Sequence, residues 1–354
     1  MVELAIRSDK DSEAPKPSPI KTLSYSSDDL IPTGVTLLNC ACSDTPFGGY
    51  MKGTVANVIG DSSSGKTLMV LTGLAEVAND PKFKDYRLIY DDVETANQFN
   101  IPYLFGEKAA KRIELGVISD TIETFGNILI QNLIKDKRPF IHVLDSFDAL
   151  TSKAAIKKAK QRAGLLKAPK KQAGSYNMEK PKEFSLLMSS YEKEIMKNGS
   201  LLIVVSQTRQ NIGNTFEPVT RSGGNALRFY STHEMWLTYF NPYKSKKGLQ
   251  IGSNTGVKVS KNKLTGKKRV ISFPKYDAIG IDDIKANIEF LIEEDFLENP
   301  TPQTYGLLNK TATKTNLITH IEQNHLRKEL QVLVGECWNE REIDSLLDRP
   351  RRFE

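Results

Sequence analysis

Residues Gly60–Thr67 read "GDSSSGKT". Two glycines, three serines, a lysine and an aspartate crowd into these eight positions, a composition foreign to a protein interior. Just before them runs "TVANVI" (54–59), which reads as a buried strand; the stretch 66–79, ended by "NDP", reads as a helix. The spacing fits GxxxxGK[ST] between a strand and a helix. Backbone N–H groups of such a loop, with the N-terminus of the following helix, can ring a polyphosphate. Gly60, Asp61, Ser62, Ser63, Ser64 and Gly65 would form the cradle, Lys66 would reach the terminal phosphates, and the Thr67 hydroxyl would bind magnesium. The polar loop is therefore read as a nucleotide phosphate site.

The segments around it share one grammar. "RLIY" (87–90), "FIHVLD" (140–145) and "SLLIVVSQ" (200–207) are short, β-branched and continuously apolar, as strands buried on both faces should be. Helix-like stretches such as 121–135 separate them, which predicts a mainly parallel sheet flanked by helices. From residue 233 the pattern changes: "HEMWLTYF", "TGVKVSKNK" and "KKRVISFP" are strand-like, with "KLTGKK" able to turn between the last two. Residues 1–27 are polar and proline-rich and read as an arm. Residues 28–283 read as the core, and 284–354, with "IKANIEFLIEEDFL" and "NLITHIEQNHLRKELQVLVGECW", as a small C-terminal helical domain.

Composition narrows the function classes. The chain has 354 residues, 39% hydrophobic and 26% charged, and no run of ~18 apolar residues that would span a membrane. Three cysteines form no CxxC pair and four histidines are scattered, which speaks for a reducing cytoplasm and against a zinc site. The net charge of +6 is unevenly spread: residues 153–182 carry ten basic residues against one acid. Taken alone, such a run reads as a solvated loop or helix face; if a second polar loop leaves the same sheet edge, its Lys157, Lys158, Lys160 and Arg162 become candidates for phosphate contacts and Tyr176 for stacking on a base.

Hydrolysis needs more than a cradle: a second magnesium support and a group that positions water. Asp145 ends an apolar strand and is the expected magnesium acid. "YDDVE" (90–94) ends another strand in acids, and spacing alone leaves Asp92 and Glu94 as alternatives for the general base. Gln207, at a third strand tip, has an amide able to donate to a terminal phosphate. His142 falls inside an apolar strand and reads as a core residue.

These residues in this order resemble the RecA family of recombinases. The closest likeness is "SLLIVVSQTRQNIGNTF", then "RSGGNALRFYST", then "TGVKVSKNK"; it covers roughly residues 28–275. The resemblance implies a RecA-like P-loop ATPase core that uses ATP and Mg2+. It assigns Glu94 as the catalytic glutamate and Gln207 as the γ-phosphate sensor opening the second DNA-binding loop. Ile212 falls where the family has a residue that wedges between base triplets. Lys261 and Lys263 match lysines that reach the nucleotide of a neighbouring subunit. Read from the residues alone, 208–224 has Arg209, Gly213, Arg221, Gly223 and Gly224 between two strands, too polar for a core element and placed where a bound phosphate can order or release it. The basic segment 153–182 follows the Asp145 strand, where the family has its first DNA-binding loop.

The leading expectation is an ATP-dependent DNA recombinase, a DNA-dependent ATPase that forms a helical homo-oligomeric filament on single-stranded DNA and exchanges strands with homologous duplex DNA. It would be cytoplasmic and nucleoid-associated, or act in a host cytoplasm if virus-encoded. Two alternatives stand beside it: a RecA-fold ring motor or regulatory paralogue, and a DNA-binding filament that uses ATP only as an assembly switch. The lysine pair in place of an obvious arginine finger speaks against the motor, and Glu94 against the pure switch. Three features depart from the bacterial pattern: a short polar arm instead of a longer helical region, a more basic first loop, and the ending "DRPRRFE" instead of an acidic tail.

Overall fold

A computed structural model describes residues 25–95, 97, 99–164, 179–210, 219–221, 224–297, 304–305, 310–311 and 313–346. The arm read over 1–27 thus lies outside the described residues as far as residue 24. The chain enters through β1 (Leu30–Ile31), α1 (Thr36–Ser43) and β2 (Tyr50–Met51), with β1 and β2 paired antiparallel. Every residue of α1 is buried. There follow β3 (Thr54–Gly60), α2 (Lys66–Asn79), β4 (Arg87–Asp92), α3 (Ile101–Arg112), β5 (Ile113–Val117), α4 (Ile122–Gln131) and β6 (Phe140–Asp145). Next come α5 (Lys153–Arg162), α6 (Glu179–Asn198), β7 (Leu201–Gln210), β8 (Val219–Arg221) and α7 (Gly224–Tyr230). The chain continues with β9 (His233–Lys244), β10 (Gln250–Asn262), β11 (Val270–Tyr276) and β12 (Gly280–Ile281). It closes with α8 (Asp283–Glu293), a short ribbon of β13 (Thr304–Tyr305) and β14 (Lys310–Thr311), α9 (Lys314–Gln323) and α10 (Arg327–Asp344).

Among the described residues ten strands form the main sheet, in the order β12-β11-β10-β9-β3-β7-β6-β4-β5 with β8 beside β7. Strands β9, β3, β7, β6, β4 and β5 run parallel; β10, β11 and β12 extend the sheet antiparallel. The α/β core expected from the alternating apolar runs is therefore present, and the segments after 233 join the same sheet. Continuous burial along β6, from Phe140 to Asp145, is what a strand covered by helices on both faces needs.

One face packs α1, α2 and the C-terminal helices into a single hydrophobic cluster that includes Leu71, Val257, Phe273, Phe290, Leu330 and Trp338. The other face packs α4, α6 and α7 around Phe125, Phe147, Phe184 and Leu227. Buried Asp283, at the start of α8, accepts the Thr36 N–H and hydroxyl, each at 2.7 Å, so the C-terminal helices are bonded to α1 as well as packed on it. His142 is wholly buried in β6, edge-on to Phe125 with ring centroids 5.4 Å apart. Among the described residues no helix is long and apolar enough to cross a membrane.

Candidate functional site

β3 runs between β7 and β9 and ends at Gly60, so the "GDSSSGKT" loop leaves the carboxyl end of the parallel strands. Two of its glycines are required by geometry. A Cβ on Gly60 would come within 2.5 Å of Ser64 Oγ and 2.8 Å of the Leu237 carbonyl, while Gly65 has φ of +97°, a left-handed conformation that disfavours side chains. Asp61, Ser62 and Ser63 are exposed, Ser64 and Lys66 are buried. Lys66 opens α2 and donates from Nζ to the carbonyls of Gly60 (2.9 Å) and Asp61 (2.7 Å). Burial pulls its pKa down, opposed by the charges of Asp145 and Glu94.

Thr67 Oγ1 donates to Asp145 Oδ2 at 2.7 Å, and the Tyr90 hydroxyl donates to the same oxygen at 2.9 Å. Burial raises the Asp145 carboxyl above the usual range, while these hydrogen bonds oppose the rise. The residues fit a magnesium–nucleotide. Ser64 Oγ is buried without a hydrogen-bond partner, the loop has the left-handed turns that make an anion nest, and the Thr67–Asp145 pair offers the one or two hard oxygens that Mg2+ takes beside phosphate.

The three acids of "YDDVE" point to different places. Asp91 is buried and accepts from the Ser119 N–H (2.8 Å) and hydroxyl (2.5 Å), with His142 Nε2 at 3.4 Å. Asp92 accepts the Asn97 N–H at 3.0 Å. Glu94 instead accepts from Ser146 Oγ at 2.5 Å and from Gln207 Nε2 at 3.1 Å. Its carboxylate thus lies between the end of β6 and Gln207, which sits level with Gly60 but three residues before the end of β7 rather than at the expected strand tip, because β7 runs on to Gln210 beside β8.

Sequence reasoning found those anchors but missed their supports. The Gln207 N–H donates to Asp148 Oδ2 at 2.7 Å, and Arg209 pairs with Asp148 Oδ1 at 3.2 Å. Lys180, the second residue of α6, caps the same turn: its Nζ reaches the carbonyls of Phe147, Asp148 and Leu150 at 2.9, 3.1 and 3.0 Å. Burial lowers the Lys180 pKa. The Thr208 hydroxyl bonds Asp61 of the phosphate loop. "LDSFDAL" carried a signal for Ser146 and Asp148, because they lie one and three residues after the acid expected to hold magnesium; Lys180 carried none apart from the basic run.

The basic segment begins as helix rather than loop. Ser152 caps α5 through the Ala155 N–H at 3.1 Å, and the lysine and alanine content that follows favours helix. Lys157, Lys158 and Lys160 lie on exposed positions of α5. Arg162 ends the helix; its side chain and residues 165–178, Tyr176 included, lie outside the described residues. So do Ile212, Gly213 and Gly223 and the side chain of Arg221, whose backbone in β8 pairs with Thr208. Gly224 opens α7.

Lys261 and Lys263 lie at the far end of the sheet. β10 stops at Asn262, so Lys263 is the first residue of the turn rather than part of the strand expected through it. Both ammonium groups nonetheless converge on the last carbonyls of α7: Lys261 bonds Arg228 O and reaches Phe229 O at 3.3 Å, and Lys263 reaches Phe229 O at 3.0 Å. Asn262 is turned inward, donating to the Cys42 carbonyl at 2.9 Å. Register runs from Lys261 to Glu234, from Glu234 to Asn57, and Asn57 lies three residues before Gly60. At ~3.3 Å per residue and ~4.8 Å per strand, the lysine backbone lies roughly 10 Å below and 10 Å beside the start of the phosphate loop.

Comparison with known proteins agrees with this architecture. Residues 21–282 match the RecA N-terminal domain family. The chain is 27% identical over 337 residues to Protein RecA of Ehrlichia ruminantium, covering 90% of this chain and 87% of that one. It is 26% identical over 313 residues to Protein RecA of Petrotoga mobilis (83% and 76% covered), and 29% over 311 residues to that of Prochlorococcus marinus (86% and 75%). A family match over most of the chain, on a sheet whose carboxyl edge gathers the phosphate loop, Asp145, Glu94 and Gln207, makes this chain a member of the RecA family.

Proposed function

We propose that the chain is an ATP-dependent recombinase that forms a helical filament on single-stranded DNA and promotes pairing and strand exchange with homologous duplex DNA. One observation carries the reading: Gln207 donates its amide to Glu94 and begins the stretch that runs through Arg209 into residues 211–218. A group that takes the Gln207 amide therefore acts at once on the general base and on the loop read as DNA-binding. ATP, when bound with Mg2+, supplies that group as its γ-phosphate.

The roles of this chain's own residues follow. The loop 60–65 cradles phosphate, Lys66 neutralises the terminal charges, and Thr67 and Asp145 hold magnesium. Glu94 orients water and accepts its proton, with Ser146 fixing the carboxylate. Lys157, Lys158, Lys160, Arg162, Arg209 and Arg221 draw the DNA backbone; Ile212, with Gly213, Gly223 and Gly224 allowing close approach, shapes the strand. Lys261 and Lys263 complete the site of the next subunit. A cytoplasmic location accords with this role. The test is to image the protein with single-stranded DNA and a non-hydrolysable ATP analogue. A regular helical filament is expected; closed rings, or single particles at saturating DNA, would overturn the reading.

A further inference from the structure

The antiparallel extension of the sheet grips the phosphate loop from outside. Lys275, near the end of β11, donates from Nζ to the Ser63 carbonyl at 3.0 Å. Thr255, buried in β10, donates from Oγ1 to the Ser64 carbonyl at 3.2 Å. Lys66 holds the carbonyls of Gly60 and Asp61, so residues 60, 61, 63 and 64 each have a carbonyl engaged by a side chain. The Lys275 stem also lies against Gly65, where an added Cβ would meet its Cδ at 3.4 Å and its Cε at 3.5 Å. Tyr239 flanks the ammonium, with its ring centroid at 6.0 Å.

Each peptide unit is planar and trans, so a carbonyl held outward turns the N–H of the next residue the opposite way. The Ser64 N–H closes the turn on the Asp61 carbonyl at 3.2 Å, so fixing the Ser63 carbonyl against β11 supports that turn, and fixing the Ser64 carbonyl against β10 directs the Gly65 N–H into the cradle. Ser63 needs such support, because its φ of +63° is left-handed, a conformation that persists in a non-glycine residue only when its surroundings impose it.

We propose that Lys275 is a positioning residue of the nucleotide site: together with Thr255 it holds the phosphate loop in its anion-receiving shape, so that the antiparallel strands set nucleotide affinity from within the same subunit. The inference rests on reading residues 60–67 as the phosphate cradle. Partial burial lowers the Lys275 pKa, with the Asp277 charge opposing.

The test is titration of the full chain with a fluorescent ADP analogue and Mg2+, and steady-state ATP turnover, for wild type, Lys66→Ala, Lys275→Met and Lys275→Arg. Loss of one hydrogen bond from a charged donor corresponds to about a tenfold rise in Kd for Lys275→Met. Lys275→Arg should return affinity to within about threefold, and the turnover defect should fall on KM, with kcat keeping at least half its value. Thr255→Val, nearly isosteric, should cost about threefold and carries the test alone if Lys275→Met fails to fold. Lys275→Met affinity within twofold of wild type, while Lys66→Ala loses binding, would overturn this inference and leave the cradle standing. A fall in kcat at unchanged KM would overturn it too. Wild-type protein that binds no nucleotide would sink the cradle reading itself.

Discussion

The two ends of the central sheet are built on different logics. At the carboxyl end, adjacent parallel strands deliver the phosphate loop, Asp145, Glu94 and Gln207 to one place, and their side chains already bond one another. At the amino end, Lys261 arrives on a strand that runs the other way and Lys263 on the turn that follows it, and both lay their charges on the last carbonyls of α7. Cations are stabilised at a helix C-terminus, so the pair is held in place, but it is held roughly 10 Å below and two strands away from the loop of its own subunit. The lesson is that a parallel sheet brings side chains from several strand ends together within one chain, whereas charges at its opposite end are spent locally, on a helix terminus, and do not reach that cluster.

That contrast is broken most severely at the carboxyl end. Lys66→Ala should abolish nucleotide-dependent function. Glu94→Gln should keep ATP binding and slow turnover by ~100- to 10,000-fold, the usual worth of a general base. Phosphate release at saturating ATP reads this directly. A normal rate in Glu94→Gln would move the assignment to Asp92, and the end-to-end comparison would lose its catalytic anchor.

The amino end is sharpened by pH. His233 is wholly buried opposite Asn262 in the β9–β10 register, and burial pushes its pKa down to about 4 from 6.5. As pH falls through that window the unfolded chain takes up the proton before the folded one, so stability drops. At 1.36 kcal/mol per unit the full effect is about 3 kcal/mol. Denaturant melts near pH 7 and pH 4 should show this loss in the wild type and a visibly shallower one in His233→Gln. Equal slopes would mean that the histidine does not set the acid stability of this edge.

The smallest expected effect concerns α5, which follows the carboxyl end of β6. Neutralising Lys157, Lys158 and Lys160 should weaken single-stranded DNA binding alike for all sequences and flatten its salt dependence, by roughly 0.7 in log–log slope per lost contact. An unchanged slope would return those lysines to a solvated helix face.

How far the sequence was legible follows the same division. The strand–loop–helix at 54–79 could be read to within one residue, the strand running on to Gly60 instead of stopping at Ile59, because a buried strand, a glycine-bounded turn and helical spacing are all local signals. The order of acids in "YDDVE" was legible but not their directions, since burial against Ser119 takes Asp91 away and only the fold shows Glu94 meeting Gln207. Lys275 and Thr255 gave no signal at all. They meet Ser63 and Ser64 across 212 and 191 residues of chain, a contact created by strand order, which a linear pattern does not encode. Likewise the lysine pair was legible as a pair, but its place at the far end of the sheet depends on β10 running antiparallel to β9.

Subunit mixing tests the central claim most directly. Protein carrying Lys261→Ala and Lys263→Ala, intact in its phosphate loop, is combined on DNA with Lys66→Ala protein, intact in its lysine pair. Each alone should be nearly inactive, because one lacks the lysines that would stabilise the transition state across the interface and the other lacks the Lys66 that serves its own loop. The account predicts that the mixture regains DNA-stimulated ATPase activity, at those interfaces where a sound loop faces sound lysines. No recovery, with co-assembly on DNA confirmed, would contradict completion of the site by the neighbouring subunit.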